Sequence, residues 1–440
     1  MNTPSLKKNF VWTFLGNVTY AGSQWGILVV LSKLRSASDL GMFVYALALA
    51  TPTFMFANLQ LRAIQGTDVR ERYPFNLYFT VRLISVSLGL LVLTGILLAM
   101  RKDPVTFYTG IFIMIARAVE CMSDIFYGAM QMREEMRLQA QSLILKGILT
   151  LPLLCVGLWA TNSVVGAAAG VAAAWTVLLF VYDVPVTLRL LSRTHEGNKS
   201  PLSFLKPSLP KVSTKLLLND ALPLGVVMLF LSLNTNIPRY FMKGYAGTAA
   251  LGIFAALSYL QVAGSTVITA LGQSASPKLA RFFQTGHIKE YKVLLYKLLV
   301  LGGVLGGLAI LGAILFGREA LTLLYRREYA AYYRELIIIA VGAAMSYSFG
   351  FLGYAMTAAC SYRPQLISIV ASTGALIISC YLLIPRWNIA GAACVNIIYL
   401  LVMASINAVI IVRLVRDAEG KNRYQATPEH GTETEMAAPI

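Results

Sequence analysis

The sequence predicts an all-α membrane protein, with twelve transmembrane helices in two pseudo-repeated six-helix lobes around a central cleft. Three observations carry that prediction. Hydrophobic residues make up 57% of the 440-residue chain and charged residues only 13%, which is too apolar for a soluble chain of this size. The apolar residues gather in runs of about 20, the length that crosses a hydrocarbon core roughly 30 Å thick. The second half of the chain also repeats landmarks of the first.

The runs fall at 9–31, 40–61, 77–100, 105–130, 143–160, 164–187, 217–241, 250–275, 294–316, 335–359, 366–385 and 389–413. Lys7 and Lys8 precede the first run, which is long for a cleaved signal and holds Asn17, Gln24 and Trp25. It is read as a retained first span. Most runs are rich in Leu, Val, Ala and Gly and show no polar stripe, as suits helices surrounded by lipid and by other helices. Helices satisfy their own backbone polar groups, so they can cross lipid where open sheets cannot. The longest polar connection, 188–216, is rich in Pro, Ser and Lys and lies at the midpoint. It reads as a cytoplasmic linker between an N-terminal lobe, 1–187, and a C-terminal lobe, 217–416. The polar tail, 417–440, reads as disordered.

Charge sets the orientation. With the N-terminus inside, inner segments carry 23 of the 37 Lys and Arg and outer segments 11. That bias puts both termini in the cytoplasm. The outer stretch 317–334, with Arg318, Arg326, Arg327 and Arg334, runs against it locally. The net charge of +17 sits mostly in short loops between apolar runs, which fits anionic head groups rather than nucleic acid. The five cysteines, Cys121, Cys155, Cys360, Cys380 and Cys394, lack metal-ligand spacing, and His195, His287 and His430 lie in polar loops or the tail. No metal site, cofactor or His-based catalysis is implied. No G-x-x-x-x-G-K-[ST] supports ATP coupling.

The repeat shows as four matches in the same order. SDLGMFVYALAL (38–49) aligns with AALGIFAALSYL (249–260), sharing Leu40/Leu251, Gly41/Gly252 and Phe43/Phe254. Spans 3 and 9 share Leu88/Leu305, Gly89/Gly306, Gly95/Gly312 and Leu98/Leu315. AMQMREEMRLQAQS (129–142) matches AMTAACSYRPQLIS (355–368), and VVGAA (164–168) matches IAGAA (389–393). Six spans per half is an even number, so the halves share one topology and form a parallel repeat, a transporter pattern.

Residues 221–283 carry a resemblance. The Asn-x-Asn-x-Pro-Arg-Tyr-Phe of 234–241, the Leu-Gly-x-Phe of 251–254 and the Ser-Pro-Lys-Leu-Ala of 276–280 are similar to those of the polysaccharide flippases. These are Wzx-type exporters of the multidrug/oligosaccharidyl-lipid/polysaccharide transporter superfamily. The resemblance implies alternating access. Its implied cargo is a polyprenyl-pyrophosphate-linked oligosaccharide (an O-antigen, capsule or exopolysaccharide repeat unit), moved from the cytoplasmic to the outer leaflet of a bacterial inner membrane. It also implies membrane lipids, a polysaccharide polymerase and glycosyltransferases as partners, and a coupling proton or sodium ion. Multidrug-type relatives often place a carboxylate in the first span, where this chain has Asn17 and Gln24 but no acid.

The polar residues inside spans are the candidate site. Arg117 lies near mid-depth of span 4, where a charge costs roughly 2.5–3.5 kcal/mol. Glu120 and Asp124 follow on the same helical face. Arg82 enters span 3 at a depth similar to that of Asp124, which predicts an Arg82–Asp124 or Arg82–Glu120 contact. One reading is a structural ion-pair network; the other is a coupling site with Glu120 or Asp124 as carrier and Arg117 on the substrate pyrophosphate. Arg239, after Pro238 near the outer end of span 7, suits a phosphate held bidentately, or else snorkels to head groups. Lys278 and Arg281 either receive the head group at the inner side or anchor the helix. Asn17, Gln24, Asn58, Gln60, Asn234, Asn236, Gln261 and Gln273 offer amides to sugar hydroxyls or to neighbouring helices. Asp183 and Asp220, near inner helix ends, read as solvated or N-terminal.

Two other functions compete with a flippase. A multidrug or organic-cation antiporter of the same superfamily is disfavoured by the basic interior. A membrane polysaccharide polymerase or ligase needs a sizeable outer catalytic loop, and the longest here, 317–334, has no His. The sequence therefore reads as a non-enzyme.

Overall fold

The computed structural model describes residues 6–68, 72–100, 103–194, 200–359 and 362–426. His195, Cys360, His430 and the end of the tail, 427–440, lie outside the described residues. The helices are α1 (Leu6–Leu34), α2 (Ala37–Ala57), α3 (Leu61–Thr67), α4 (Phe75–Ala99), α5 (Pro104–Met132), α6 (Met136–Thr161), α7 (Val164–Leu178) and α8 (Val184–Thr194). After them come α9 (Lys211–Tyr245), α10 (Gly247–Gln284), α11 (Ile288–Leu324), α12 (Tyr333–Ala358) and α13 (Tyr362–Ala426). A π-helical turn, Leu179–Asp183, joins α7 to α8.

Among the described residues ten helical stretches are long and apolar enough to cross a membrane, so this is a multi-pass membrane protein. Two differences separate that number from the twelve expected runs. Helix α1 is long enough at 29 residues but carries Asn17, Ser23, Gln24 and Trp25 across its middle, and it is not among the ten. The expected spans 366–385 and 389–413 both lie in α13, interrupted at Asn388, whose backbone (φ 48°, ψ −118°) is not helical.

Local chemistry explains the helix starts. Ser36 and Asp39 form a reciprocal capping box at α2. Asp103 caps α5 by accepting the Thr106 backbone N–H at 3.0 Å, with Pro104 at the first helical position. That hydrogen bond holds the Asp103 carboxyl below the usual carboxylate range.

The chain divides into two compact units. One comprises Met1–Tyr259, Glu319–Ala331 and Cys380–Ala392; the other comprises Leu260–Arg318, Tyr332–Ser379 and Ala393–Ile440. The described residues of the expected linker, 188–194 and 200–216, belong to the first unit. Its 3-10 turn, Pro201–Leu205, buries Phe204 against Tyr73, Phe75, Tyr78 and Leu191, and the Ser208 backbone N–H donates to Thr80 Oγ1 at 2.9 Å. The apolar pair Phe204–Leu205 draws it in. The second unit has its own core around Tyr291, Leu295, Tyr347 and Phe351, and the Tyr291 hydroxyl donates to the Ala355 carbonyl at 3.0 Å. Residues 417–426 of the tail continue α13, and Glu419 pairs with Lys292 at 2.6 Å.

The sequence repeat has a structural counterpart inside the first unit. Gly41 of α2 lies so close to the Thr248 carbonyl of α10 that a β-carbon has no room, and Gly252 of α10 lies as close to the Ala37 carbonyl of α2. Gly41 and Gly252 are aligned partners in the repeat, so the contact is reciprocal. Ser38 and Thr248 add one hydroxyl pair at 3.1 Å. Gly41→Leu should lower the thermal midpoint of the purified protein by several degrees, because overpacking costs about 1–3 kcal/mol. An unchanged melting curve would show that the helices separate there without cost.

Candidate functional site

Two cavities in the first unit gather most of the predicted residues. One, of about 170 Å³, is lined by Gln24 of α1, Arg117 of α5, Trp175 of α7, Asn236 and Arg239 of α9, and Tyr259 of α10. The other, of about 240 Å³, is lined by Asn17 and Tyr20 of α1, Asn58 at the end of α2, Glu120 and Asp124 of α5, and Lys146 of α6, among others. Thr51 and Arg117 line both, so the cavities meet there.

The charged stripe of α5 resolves into two groups with different surroundings. The first is a clasp. Arg82 is fully buried and its Nη2 lies 3.4 Å from Asp124 Oδ2, as the depth argument predicts. Nη2 also donates to Asn58 Oδ1 at 3.0 Å, and Nη1 donates to Cys121 Sγ and the Ala57 carbonyl. Asp124 has a second cation that the sequence did not single out, Arg62, at 3.2 Å. Arg62 reaches it because Leu59 and Gln60 adopt left-handed backbone conformations and turn the chain from α2 into α3.

The second group faces the cavities. Arg117 pairs with Glu120 one helical turn along, and the Tyr20 hydroxyl of α1 donates to the other Glu120 oxygen. The side chains of Arg117 and Glu120 are 21% and 31% accessible, against 0% for Arg82. A charge pair at mid-helix that stays accessible is exposed to the cavity rather than packed away. Arg82 is thus packed away from the cavity, whereas Arg117, Glu120 and Asp124, the last at 18% accessibility, all line it.

Arg239 lies in the smaller cavity, six residues and about 9 Å before the end of α9. That helix runs through both Pro223 and Pro238 without a break. Its Nη1 donates to Asn236 Oδ1 at 3.0 Å, and among the described residues no carboxylate stands within ion-pair distance of it. Gln24 Nε2 and Arg117 Nε are buried with no hydrogen-bond partner among the described residues. Asn234 and Asn236 are buried on α9.

The remaining predicted residues lie elsewhere. Gln60 starts α3. Gln261, Gln273, Lys278 and Arg281 belong to the second unit. There the Gln261 carbonyl accepts from the Tyr347 hydroxyl at 2.6 Å, while Gln273, Lys278 and Arg281 are exposed. Sequence reasoning missed Lys146 and misread Asp183. Both are buried, at 1% and 0%, and they pair at 3.5 Å. Asp220 is 3.5 Å from the Tyr73 hydroxyl. A cavity of about 400 Å³ beside the start of α4 holds none of the predicted residues.

The fold is that of a multi-pass helical membrane protein, with Arg117 and Arg239 lining one interior cavity. Residues 6–283, more than half of the chain, match the polysaccharide biosynthesis protein family, and the chain belongs to that family. This agrees with the resemblance carried by 221–283. The chain is 26% identical over 388 residues to the capsular polysaccharide biosynthesis protein CapF of Staphylococcus aureus, covering 88% of this chain and 94% of that one. Its fold is similar to that of the lipid II flippase MurJ in an inward closed conformation, with a TM-score of 0.67 at 9% identity over 96% and 93% of the two chains. It is also similar to an inward-facing multidrug resistance MATE family transporter of the MOP superfamily, with a TM-score of 0.65 at 13% identity over 93% and 96%.

Proposed function

We propose that this protein flips a polyprenyl-pyrophosphate-linked oligosaccharide from the cytoplasmic to the outer leaflet of a bacterial inner membrane by alternating access, driven by a proton or sodium gradient. Both termini face the cytoplasm, and six-helix lobes at 1–187 and 217–416 move around the cargo. The observation that carries the reading is Arg239. Arg239 is half-buried, and a cation without an acidic partner is costly inside a membrane unless an anion binds there. Arg117 lines the same cavity, so the field there favours a doubly charged phosphate group, held by guanidinium forks. Asn17, Gln24 and Asn236 supply amides for sugar hydroxyls. Two interior arginines disfavour an organic-cation cargo. The cargo comes from glycosyltransferases and passes to a polysaccharide polymerase.

Deletion of the gene is expected to leave a lipid-linked glycan on the inner leaflet, measured by its protection from an impermeant glycosidase in right-side-out vesicles, and the restored gene should clear it. If the glycan reaches the outer leaflet at the normal rate without the protein, the proposed function is wrong. Increased sensitivity to cationic dyes in the same strain, with normal glycan, would favour the multidrug reading.

A further inference from the structure

Three carboxylates border the larger cavity or touch its lining: Glu120, Asp124 and Asp183. Two of them are held by guanidinium groups, Glu120 by Arg117 and Asp124 by Arg62 and Arg82. Arginine stays charged at any working pH and grips a carboxylate with a planar fork, which keeps these two carboxylates ionised. Asp183 is different, because its cation is a lysine, a point charge on a flexible stem whose side chain reaches the cavity lining.

The surroundings of this pair form a path. Lys146 Nζ is 3.5 Å from Asp183 Oδ2 and 5.0 Å from the centre of the Tyr127 ring. Ser142 Oγ donates to Asp183 Oδ1 at 2.5 Å and accepts from the Tyr127 hydroxyl at 2.7 Å. Lys146 and Tyr127 both line the cavity, so a hydrogen-bonded route leads from the cavity to a carboxylate that is itself fully buried. Asp183 closes the π-helical turn, a departure from α-geometry that recurs at functional sites. Other titratable groups face the pair from each neighbour: Tyr20 on α1, Glu120 and Asp124 on α5, and Tyr182 on the turn itself. Helix α7 contributes no ionisable side chain, and Arg189 and Arg193 of α8 are exposed. In the repeat, the residue aligned with Lys146 is Ser372, also buried.

From this geometry we infer that the Lys146–Asp183 pair is the proton-exchanging site of the interior, and that Glu120 and Asp124 are not. The pair shares one proton in its resting form and binds a second from cavity water. An O–H bond forms on Asp183, the ion pair dissolves, and Lys146 keeps its charge and is released toward the cavity. Loss of that proton reverses the step. This rests on the gradient-driven reading above.

The test uses two substitutions that lock the pair in opposite states. Lys146→Arg keeps the ion pair but clamps Asp183 as the other carboxylates are clamped. Asp183→Asn imitates the protonated acid. Glycan export is measured in the deletion strain at matched membrane abundance, with and without a protonophore. Lys146→Arg is expected to cut export at least about tenfold and to abolish the protonophore effect on the remainder, although a purely structural pair would be preserved by arginine. Wild-type protein that ignores the protonophore overturns proton driving, and this inference with it, while leaving a sodium-driven flippase standing. Wild-type sensitivity together with a Lys146→Arg protein of normal rate and sensitivity overturns this inference alone. Should Lys146→Arg fail to accumulate, Asp183→Asn decides: export that no longer varies with pH supports the site, and an unchanged pH profile overturns it.

Discussion

Arg239→Gln is expected to leave the amount and thermal stability of the protein unchanged or slightly raised, while glycan export falls about ten- to a hundredfold. The two halves of that result have one cause. Arg239 has a single hydrogen bond to Asn236 Oδ1, and among the described residues no acid lies within ion-pair distance. Removing it strands no partner charge and relieves a desolvated cation. What is lost is a charge-assisted contact to an anionic cargo, about 1.5–3 kcal/mol, which is a factor of about ten to a hundred. Arg239→Lys keeps the charge but loses the planar fork, so its export should fall between the two. Export assays at matched abundance, with melting curves on the purified proteins, check both halves. Normal export in Arg239→Gln would remove the residue from the binding site, and collapse of the protein would make its role structural.

Arg82→Met should do the opposite and remove folded protein from the membrane. Arg82 is fully buried, and its fork serves Asn58, Cys121, Asp124 and the Ala57 carbonyl at once. Breaking a buried pair costs about 3–5 kcal/mol. The lower end applies because Asp124 keeps Arg62. That is a large share of a typical stability of about 5–15 kcal/mol. Arg82→Lys should also destabilise, since one ammonium cannot serve four acceptors spread around a planar group. Asp124→Asn in the Arg82→Met background should recover part of the loss, because it removes the charge left behind. The readouts are membrane abundance and the melting midpoint in detergent. Arg82→Met protein that melts normally but exports poorly would move Arg82 from the clasp to the transport machinery.

The opposite expectations for the buried Arg82 and the half-buried Arg239 show what is legible in the sequence and what is not. Depth along a helix follows from counting residues, so the Arg82–Asp124 contact was legible. Rotation about the helix axis was not, because most spans lack a polar stripe. Thus the second partner of Asp124, Arg62, depended on the left-handed turn at Leu59 and Gln60, which no residue type there announces. Lys146 and Asp183 lie close to expected span ends, where long charged side chains ordinarily reach for head groups. Only the packing of α6 against the π-helical turn shows them turned inward. Gln261, Gln273, Lys278 and Arg281 share α10 with Tyr259, yet the boundary between the compact units falls just after Tyr259. A helix 38 residues long can serve two bodies without any break in its pattern.

The reciprocal glycine contact between α2 and α10 has a mechanical consequence. Its attraction is mostly dispersion between closely fitted surfaces, supplemented by one hydroxyl pair. Dispersion loses a quarter to a half of its strength over a gap of only about 0.5–1 Å. Such a contact has little tolerance for partial opening and no long-range pull to restore it. The contact therefore holds at full strength only when fully seated, and a small separation forfeits much of it.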